Sequence, residues 1–295
     1  MNSEVTINII VVNWNDSATI RKCLPSIMAS EYPCYRVIVV DNGSNAEELI
    51  ALSILEEKFK GTCVYFTHNP ENRGYCGGNN AGLQYIVDNH LDGDVMILNP
   101  DVEMEQNTLS VMAAAMVEGV GIVTPRVVHP SGKVLFDGIR LKGYRQEFVI
   151  GHPGMPISTD FAQGTCMLIR RSLIERIGLF DERFFSYWEE VDLSIRAKKA
   201  GFKLAVANQT KITKADNPPE KIPTCFYYSV RNARLIRRKH LSSFTGAGYI
   251  LYVAKVAALS AKLIQRPRLC MKTLASVLDG LRDGLAERYG KRGTA

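Results

Sequence analysis

Carboxylates that could do chemistry occur at three places in this sequence. Asp41 begins the tetrapeptide Asp-Asn-Gly-Ser directly after an apolar run, and Asp101 ends Asn-Pro-Asp after another. Glu189 and Glu190 are adjacent in a third motif, Trp-Glu-Glu-Val-Asp. An aspartate can bind a nucleoside through hydrogen bonds or a divalent cation through its oxygens, and a glutamate in a cleft can act as a general base. These four residues are the first candidates for a catalytic site.

Each of these motifs also has a purely structural interpretation. Asp41 and Asp101 could cap the helices that follow them. Glu189 and Glu190 stand at a predicted helix start, where the helix dipole favours negative charge. Taken singly, the motifs leave both interpretations open.

A glycine-dense segment, residues 72–82, reads Asn-Arg-Gly-Tyr-Cys-Gly-Gly-Asn-Asn-Ala-Gly. Glycines let backbone amides come close to a ligand, and a helix start favours anions. The segment does not contain the phosphate-loop pattern GxxxxGK[ST], and no GxGxxG follows the first predicted strand. These absences disfavour a kinase-type NTPase and a dinucleotide-dependent dehydrogenase.

The elements that must position these residues alternate between strand and helix patterns. Short apolar runs predict strands at residues 5–12, 36–40, 62–67, 94–98 and 121–125. Helical spacing predicts helices at residues 17–30, 46–59, 78–91 and 104–118. This alternation predicts a Rossmann-like, mostly parallel sheet flanked by helices, with the ligand site beyond the carboxyl ends of the strands.

The rest of the chain is less regular. The pattern predicts a hairpin or long loops over the site at residues 126–161 and a strand at residues 164–170. It predicts helices at residues 172–177 and 189–200. From residue 223 the pattern is helical, interrupted at Pro267. We therefore expect an α/β domain at residues 1–220 and a basic helical C-terminal extension at residues 221–295.

The composition is typical of a globular protein, with 46% hydrophobic and 22% charged residues in 295. Seven scattered cysteines without a CxxC pair predict reduced thiols, and the N-terminus does not have the pattern of a secretory signal. The most apolar stretch, residues 244–264, contains Lys255 and Lys262, which disfavours a membrane span. We expect a cytoplasmic protein.

The order and spacing of the motifs resemble the family 2 glycosyltransferases with the GT-A fold, in particular their rhamnosyltransferase-like branch. The resemblance covers about residues 5–210 and is carried by six segments: VVNWN, VVDNGS, the glycine-dense segment, ILNPD, GTCMLIRR and GLFDERFFSYWEEVDLSIRAKKAGF. It implies an inverting transfer of a sugar, with rhamnose expected, from a dTDP- or UDP-linked donor. The acceptor would be a hydroxyl of a glycan or lipid-linked saccharide in surface polysaccharide synthesis.

The resemblance also implies roles for single residues. Glu190 would be the general base, with Glu189 as the fallback, and Asp101 would bind Mg²⁺ or Mn²⁺. The donor-binding residues implied are Asn13, Asp41, Asn42, Asn72, Gly74, Gly77, Asn99, Gly164 and Thr165. If the proposal holds, Asp41, Asp101 and Glu190 converge on one crevice.

One position departs from the family pattern. Thr213 stands where many relatives have a histidine that contacts metal or diphosphate, and Lys211 or Lys214 could neutralise the diphosphate instead. The departure motivates an alternative function, a non-catalytic sugar-nucleotide-binding subunit or sensor. A nucleotidyltransferase is disfavoured, because the segment after the first strand has no arginine-containing glycine loop.

The C-terminal extension is strongly basic, with 15 Lys and Arg against 3 Asp and Glu from residue 221 onward. Four arginines at helical spacing predict a basic strip, namely Arg231, Arg234, Arg237 and Arg238. Such a strip suits an anionic membrane surface at the inner face of the cytoplasmic membrane, or a pyrophosphate-linked lipid acceptor. A solvated helix face is the alternative. Nucleic acid is not expected as a partner, because no aromatic residues are interleaved for base stacking.

Overall fold

The computed structural model describes residues 5–149 and 156–293. Residues 1–4, part of the segment without a secretory pattern, and residues 150–155 of the predicted hairpin or loops lie outside this part. The first half of the chain alternates strand and helix as predicted. Its elements are β1 (Ile7–Asn13), α1 (Ser17–Met28), β2 (Tyr35–Asn42), α2 (Ala46–Phe59), β3 (Val64–Asn69), α3 (Gly74–Asp88) and β4 (Asp94–Leu98).

The second half adds shorter strands and then helices. Its strands are β5 (Val102–Met104), β6 (Val120–Val128), β7 (Val134–Phe136), β8 (Ile139–Lys142), β9 (Arg145–Phe148), β10 (Ile157–Ser158), β11 (Cys166–Ile169) and β12 (Lys203–Lys214). Its helices are α4 (Thr108–Ala115), α5 (Arg171–Ile177), α6 (Glu189–Lys199), α7 (Ile222–Lys239), α8 (Gly246–Ala261) and α9 (Pro267–Leu285).

The strands form one large mixed sheet and one small hairpin. The path of the large sheet is β10-β12-β6-β11-β4-β1-β2-β3, with β5 and β7 paired beside it, and β8 pairs only with β9. Strands β3, β2, β1 and β4 are parallel, whereas β11 runs antiparallel to β4 and β6. The predicted Rossmann-like architecture is confirmed, and the carboxyl ends of β1, β2 and β4 lie at one edge of the sheet.

The glycine-dense segment forms the start of α3 and packs directly on β1. A Cβ atom on Gly78 would lie 2.7 Å from a methyl carbon of Val12, and one on Gly82 would lie 2.5 Å from a methyl carbon of Ile10. The helix begins at Gly74 rather than at residue 78, because Gly74 adopts a φ of 72°, which allows the sharp entry into the helix. These glycines are therefore needed for close packing of helix on strand.

One further predicted boundary was wrong. The helix predicted from residue 104 begins at Thr108, because residues 102–104 instead pair with the end of β12. This tertiary pairing overrides the local helical pattern. The segment after residue 202 forms β12, a twelve-residue strand.

The predicted basic strip on α7 is not one exposed face, so that prediction was wrong. Arg231 is completely buried and donates to the backbone carbonyls of Arg183 and Phe184, because α7 packs against the α/β domain. Arg234 and Arg237 are partly buried. Arg238 is exposed and forms an ion pair with Glu287.

None of the helices in residues 5–149 and 156–293 has an apolar stretch long enough to cross a membrane.

Candidate active site

A cleft of about 500 Å³ lies beyond the carboxyl ends of β1, β2 and β4. Six of the predicted site residues line it: Asn13, Asn42, Asn72, Gly74, Asn99 and Asp101. Residues of α7 and of the segment directly before it also line the cleft, among them Lys221 and Tyr228. The cleft therefore lies where the sequence predicts the ligand site, beyond the carboxyl ends of the parallel strands.

Asp41 lies next to Asn13 at the end of the neighbouring strand, and it is buried. Its carboxylate accepts from the Asn13 side-chain amide at 3.4 Å and from the Ser44 backbone amide at 3.3 Å. It does not cap α2, because that helix is capped by Asn45. Asp41 orients Asn13, which does line the cleft, and a donor contact by Asp41 itself stays a prediction.

Asn42 holds the loop that leads into α3. Its side-chain amide donates to the Gly74 carbonyl at 2.9 Å and to the Asn72 side chain at 3.2 Å, and its oxygen accepts from the Arg73 backbone amide at 3.2 Å. The Asn72 oxygen also accepts from the Gly74 amide at 2.8 Å. These bonds make the loop a preformed wall of the cleft.

Besides Asp41, three predicted donor residues lie outside the cleft lining. Gly77 packs on its own helix, since a Cβ there would lie 2.4 Å from the Arg73 Cβ atom. Thr165 is buried and its carbonyl accepts from the Asn99 amide at 2.9 Å. Gly164 accepts from the Tyr75 hydroxyl at 2.5 Å. Thr165 and Gly164 thus position two residues that line the cleft.

Asp101 lies in the cleft and forms an ion pair with Lys214, the last residue of β12. It does not cap α4, which begins at Thr108 after Asn107. No group of three or more His, Cys, Asp or Glu side chains that could hold a metal ion occurs in the described part of the chain. A divalent cation in this cleft would therefore need oxygens from a bound diphosphate, and Asp101 as a metal ligand stays a prediction.

The two lysines proposed to replace the family histidine differ in position. Lys214 pairs with Asp101 at the cleft, whereas Lys211 lies near Glu105, with 3.7 Å between the charged atoms. Thr213 pairs in the sheet with Glu103. Of these two lysines, only Lys214 contacts a carboxylate of the cleft, while Lys221 is a second cation in the cleft lining.

A second pocket, of about 380 Å³, adjoins the cleft and contains Glu190. Tyr187 lines both cavities, so they share a wall. Most of the second pocket is aromatic or apolar, and its lining comes from the β8–β9 hairpin, the start of α6, α7 and α8. The lining residues include Tyr144, Phe148, Trp188, Phe226, Tyr252 and Lys255.

Glu190 also lies beside the wall of the cleft. A Cβ atom on Gly164 would be 3.7 Å from the Glu190 Cβ atom and 3.2 Å from the hydroxyl of Tyr75, which lines the cleft. Asp41, Asp101 and Glu190 are therefore at the same edge of the sheet. The expected single crevice is two adjoining cavities, with Asp101 in one, Glu190 in the other and Asp41 beneath Asn13.

Burial raises the pKa of both glutamates at the start of α6. The pKa of Glu189 is raised well above its ordinary value by burial and by the charge of Glu190. Burial also raises the pKa of Glu190, but a hydrogen bond from Glu189 opposes this. Oxygen Oε2 of each glutamate is buried and has no hydrogen-bond partner. Glu190 lines the second pocket and Glu189 does not, so Glu190 is the one of the two that a ligand in this pocket would meet.

The wall between the two cavities is a strained loop, residues 184–188. Phe185, Tyr187 and Trp188 have φ values of 62°, 70° and 74°. Bulky residues seldom adopt this left-handed conformation, which costs on the order of 1–3 kcal/mol for each. Such a loop persists only if its surroundings hold it.

Helix α7 provides the groups that hold this loop. The side-chain amide of Asn232 donates to three carbonyl groups of the loop at 2.7 to 2.9 Å. Arg231 binds a carbonyl of the same loop at 2.8 Å and packs on the Tyr228 ring at 4.7 Å. The two buried residues therefore fix the wall that separates the cavities.

Several lining residues were missed by sequence reasoning. Trp14 is exposed directly after β1, and a large aromatic residue following a buried strand is a local signal that could have identified it. Tyr187 and Tyr252 give no local signal, because contacts between distant segments bring them to the second pocket. Asp192, on the same helix as Glu190, forms an ion pair with Arg196 at 2.7 Å.

The chain is similar to known sugar-transferring proteins. A family model described as Glycosyl transferase family 2 matches residues 8–178, more than half of the chain. A low-salt glycan biosynthesis hexosyltransferase of Haloferax volcanii is 27% identical over 201 residues, covering 65% of this chain and 62% of that protein. An N-acetylglucosaminyl-diphospho-decaprenol L-rhamnosyltransferase of Mycobacterium tuberculosis is 30% identical over 133 residues, covering 38% and 43%. The chain spans less than two thirds of the length of either relative.

Solved structures share the fold. A mannosyltransferase of Pyrobaculum calidifontis in complex with GDP-Man and Mn²⁺ has a TM-score of 0.64 at 16% identity, covering 97% of this chain and 89% of that one. The first 349 residues of TarS from S. aureus, in complex with UDP-GlcNAc, have a TM-score of 0.54 at 16% identity, covering 96% and 92%. These similarities confirm the predicted GT-A fold.

Proposed function

Because the chain belongs to glycosyl transferase family 2, we propose that it is an inverting glycosyltransferase. It moves a sugar from a nucleotide-diphosphate donor to a hydroxyl group of a glycan or lipid-linked saccharide. The observation that carries the proposal is the position of Glu190, a carboxylate with an unpartnered buried oxygen beside a cleft formed at the strand ends. A base at the boundary of two cavities is what a reaction between two bound substrates needs.

The donor occupies the cleft in this proposal. The polar side chains of Asn13 and Asn99 face the nucleotide, and the exposed ring of Trp14 offers a surface for the base. Lys214 and Lys221 supply positive charge for the diphosphate. The proposed donors are sugars linked to dTDP or UDP, with rhamnose as the sugar, in line with the activity named for the mycobacterial relative.

The acceptor occupies the second pocket. Its hydroxyl hydrogen-bonds to Oε2 of Glu190 and attacks the anomeric carbon from the side opposite the nucleotide. The new glycosidic bond forms as the bond to the diphosphate oxygen breaks, and Glu190 takes the hydroxyl proton. A single displacement inverts the anomeric centre.

Negative charge that develops on the leaving diphosphate is offset by the cationic side of the cleft. The cations there are Lys214, which pairs with Asp101, and Lys221 in the cleft lining. A Mg²⁺ or Mn²⁺ ion that arrives with the diphosphate would bind Asp101 and supply further charge stabilisation. In either case Asp101 fixes the position of the cation.

The base must be ionised, so activity rises with pH. Because burial raises the pKa of Glu190, the rate falls on acidification at a higher pH than an exposed glutamate would give. Measuring kcat/KM against pH with one donor tests whether activity is lost on acidification at this higher pH.

The decisive experiment measures nucleotide diphosphate release from a panel of donors with the purified protein. Glu190→Gln should lower kcat by about 10²–10⁴-fold, because it removes general base catalysis, and it should leave donor affinity unchanged. Glu189→Gln, one position away, is the matched control and should retain far more activity. If Glu190→Gln turns over like the unmodified protein, Glu190 is not the base.

A second candidate is a non-catalytic subunit or sensor that binds sugar nucleotides. The ion pair between Lys214 and Asp101 favours it, because Lys214 already neutralises the carboxylate that a metal ion would bind. Calorimetry with UDP-sugars and dTDP-sugars separates the two candidates. Tight donor binding without turnover, with every acceptor and divalent cation tried, would select the sensor.

We further propose that the protein works in the cytoplasm at a membrane that carries its acceptor. The mycobacterial relative acts, by its name, on a decaprenol-linked substrate. The second pocket has an apolar and aromatic lining, which suits the lipid end of such an acceptor. Lys255 is also among its lining residues. Transfer to a short-chain lipid diphosphate saccharide, compared with the free saccharide, tests this preference.

A further inference from the structure

The last helices carry the most exposed large apolar side chains of the described residues. Ile250, Leu251, Ile264 and Met271 are 68%, 71%, 73% and 72% exposed. They lie on the outward sides of α8, of α9 and of the turn between them, and we call this surface the α8–α9 face. Single exposed apolar residues are ordinary, but a group of them on adjoining helices indicates a binding surface.

The same face is positively charged. Between Glu220 and Asp279 the sequence contains eleven Lys and Arg residues and no Asp or Glu. Five of these cations are exposed on α8, α9 and their connecting turn: Lys255, Lys262, Arg266, Arg268 and Lys272. Long cationic side chains can lie over apolar surface while their charges reach outward. Exposed apolar and exposed cationic side chains therefore occur together on α8, α9 and their connecting turn.

Helix α2 provides an internal comparison. Ile50 and Ile54 are also exposed, at 65% and 60%, but their helix carries Glu47, Glu48 and Glu56. An anionic bilayer would repel that surface. Exposure of apolar residues coincides with positive charge at the α8–α9 face and with negative charge on α2.

We propose that the α8–α9 face binds the surface of an anionic lipid bilayer. Apolar side chains that enter the headgroup region together with cations that attract anionic lipids are the two contributions that hold an interfacial helix on a membrane. A second copy of this chain fits less well, because two faces of the same charge would repel each other. The membrane contact then lies on α8 and α9 and not on the predicted basic strip of α7, where Arg231 is buried.

The face is continuous with the second pocket. Lys255 and Leu259 belong to the exposed side of α8 and also line the pocket that contains Glu190. A lipid-linked acceptor in the bilayer would therefore enter the pocket at the membrane surface. Only this step rests on the proposed function, since binding to a bilayer requires neither donor nor turnover.

Co-sedimentation with vesicles tests the proposal. The full chain should bind vesicles that contain phosphatidylglycerol, bind phosphatidylcholine vesicles weakly, and dissociate as salt is raised. The double variant Lys262→Gln and Arg266→Gln should lower partitioning by roughly 25-fold, at about fivefold for each cation. Ile264→Asp with Met271→Asp should also abolish binding. Ile50→Asp, a residue of similar exposure on α2, is the control and should bind normally.

Three outcomes would overturn the proposal. They are failure of the unmodified chain to bind anionic vesicles, equal losses in the control and in the face variants, and a dimer in solution that Met271→Asp dissociates.

Transfer to a water-soluble acceptor separates the two proposals. Face variants that keep this transfer but lose vesicle binding support the inference. If no donor is turned over while vesicle binding persists, the proposed function fails and the membrane surface stands.

Discussion

The two adjoining cavities are built in different ways. The donor cleft lies at the ends of β1, β2 and β4, whose regular backbone presents amides and carboxylates such as Asn42 and Asp101. The pocket with Glu190 is formed by aromatic residues from a hairpin, a strained loop and two C-terminal helices. The strand-end side of the cleft is therefore part of the rigid sheet, and only its other side shares the strained loop and α7 with the pocket. Changes to α7 should disturb the acceptor more than the donor.

The largest effect is expected from Asn232→Ala. The substitution removes the amide that donates to three carbonyl groups of the strained loop 184–188. It should lower the free energy of unfolding by about 3 kcal/mol, because buried carbonyls are left unsatisfied. Acceptor KM should rise more than the dissociation constant of the donor, because the loop lines both cavities but the strand ends still hold the donor side. Denaturant unfolding, initial rates and calorimetry measure these quantities.

The control for this variant is Arg238→Ala, an exposed position on the same helix whose partner is Glu287. It should change stability by less than about 1 kcal/mol, as surface ion pairs do. Equal weakening of donor and acceptor by Asn232→Ala would contradict the distinction between the two cavities.

The distinction also decides which parts of the site could be predicted. Asn13, Asn99 and Asp101 could be found from sequence, because alternating strands and helices fix where strand ends lie. Tyr252 could not be found, since it reaches the pocket through packing of segments far apart in sequence. Arg231 was misassigned for the same reason: helical spacing shows which residues share a face, but not whether another element covers that face.

A smaller effect, confined to the cleft, is expected from Lys214→Met. Lys214 pairs with Asp101, and a charge-assisted hydrogen bond to diphosphate is worth about 1.5–3 kcal/mol. Without divalent cations, affinity for UDP or dTDP should fall about tenfold or more. Added Mn²⁺ should restore part of it, because Asp101 is then free to bind the ion. Acceptor KM should stay unchanged.

Lys211→Met is the matched control for this variant. Lys211 lies three residues away on β12, near Glu105 rather than in the cleft. Calorimetry in EDTA and in Mn²⁺ should show donor affinity close to that of the unmodified protein. If Lys211→Met and Lys214→Met weaken the donor equally, Lys214 has no specific place at the diphosphate.

The smallest effect concerns stability alone and comes from Glu189→Gln. Burial and the neighbouring charge of Glu190 raise the pKa of Glu189 in the folded protein above its value in the unfolded chain. The folded state therefore binds the proton more tightly, and this contribution to stability is fully present below the unfolded pKa. It is lost as pH rises toward the folded pKa. Melting temperature against pH should fall less steeply in Glu189→Gln than in the unmodified protein. Glu47→Gln, at an exposed position on α2, should leave the curve unchanged, and parallel curves for all three proteins would show that Glu189 does not hold the proton for the pair.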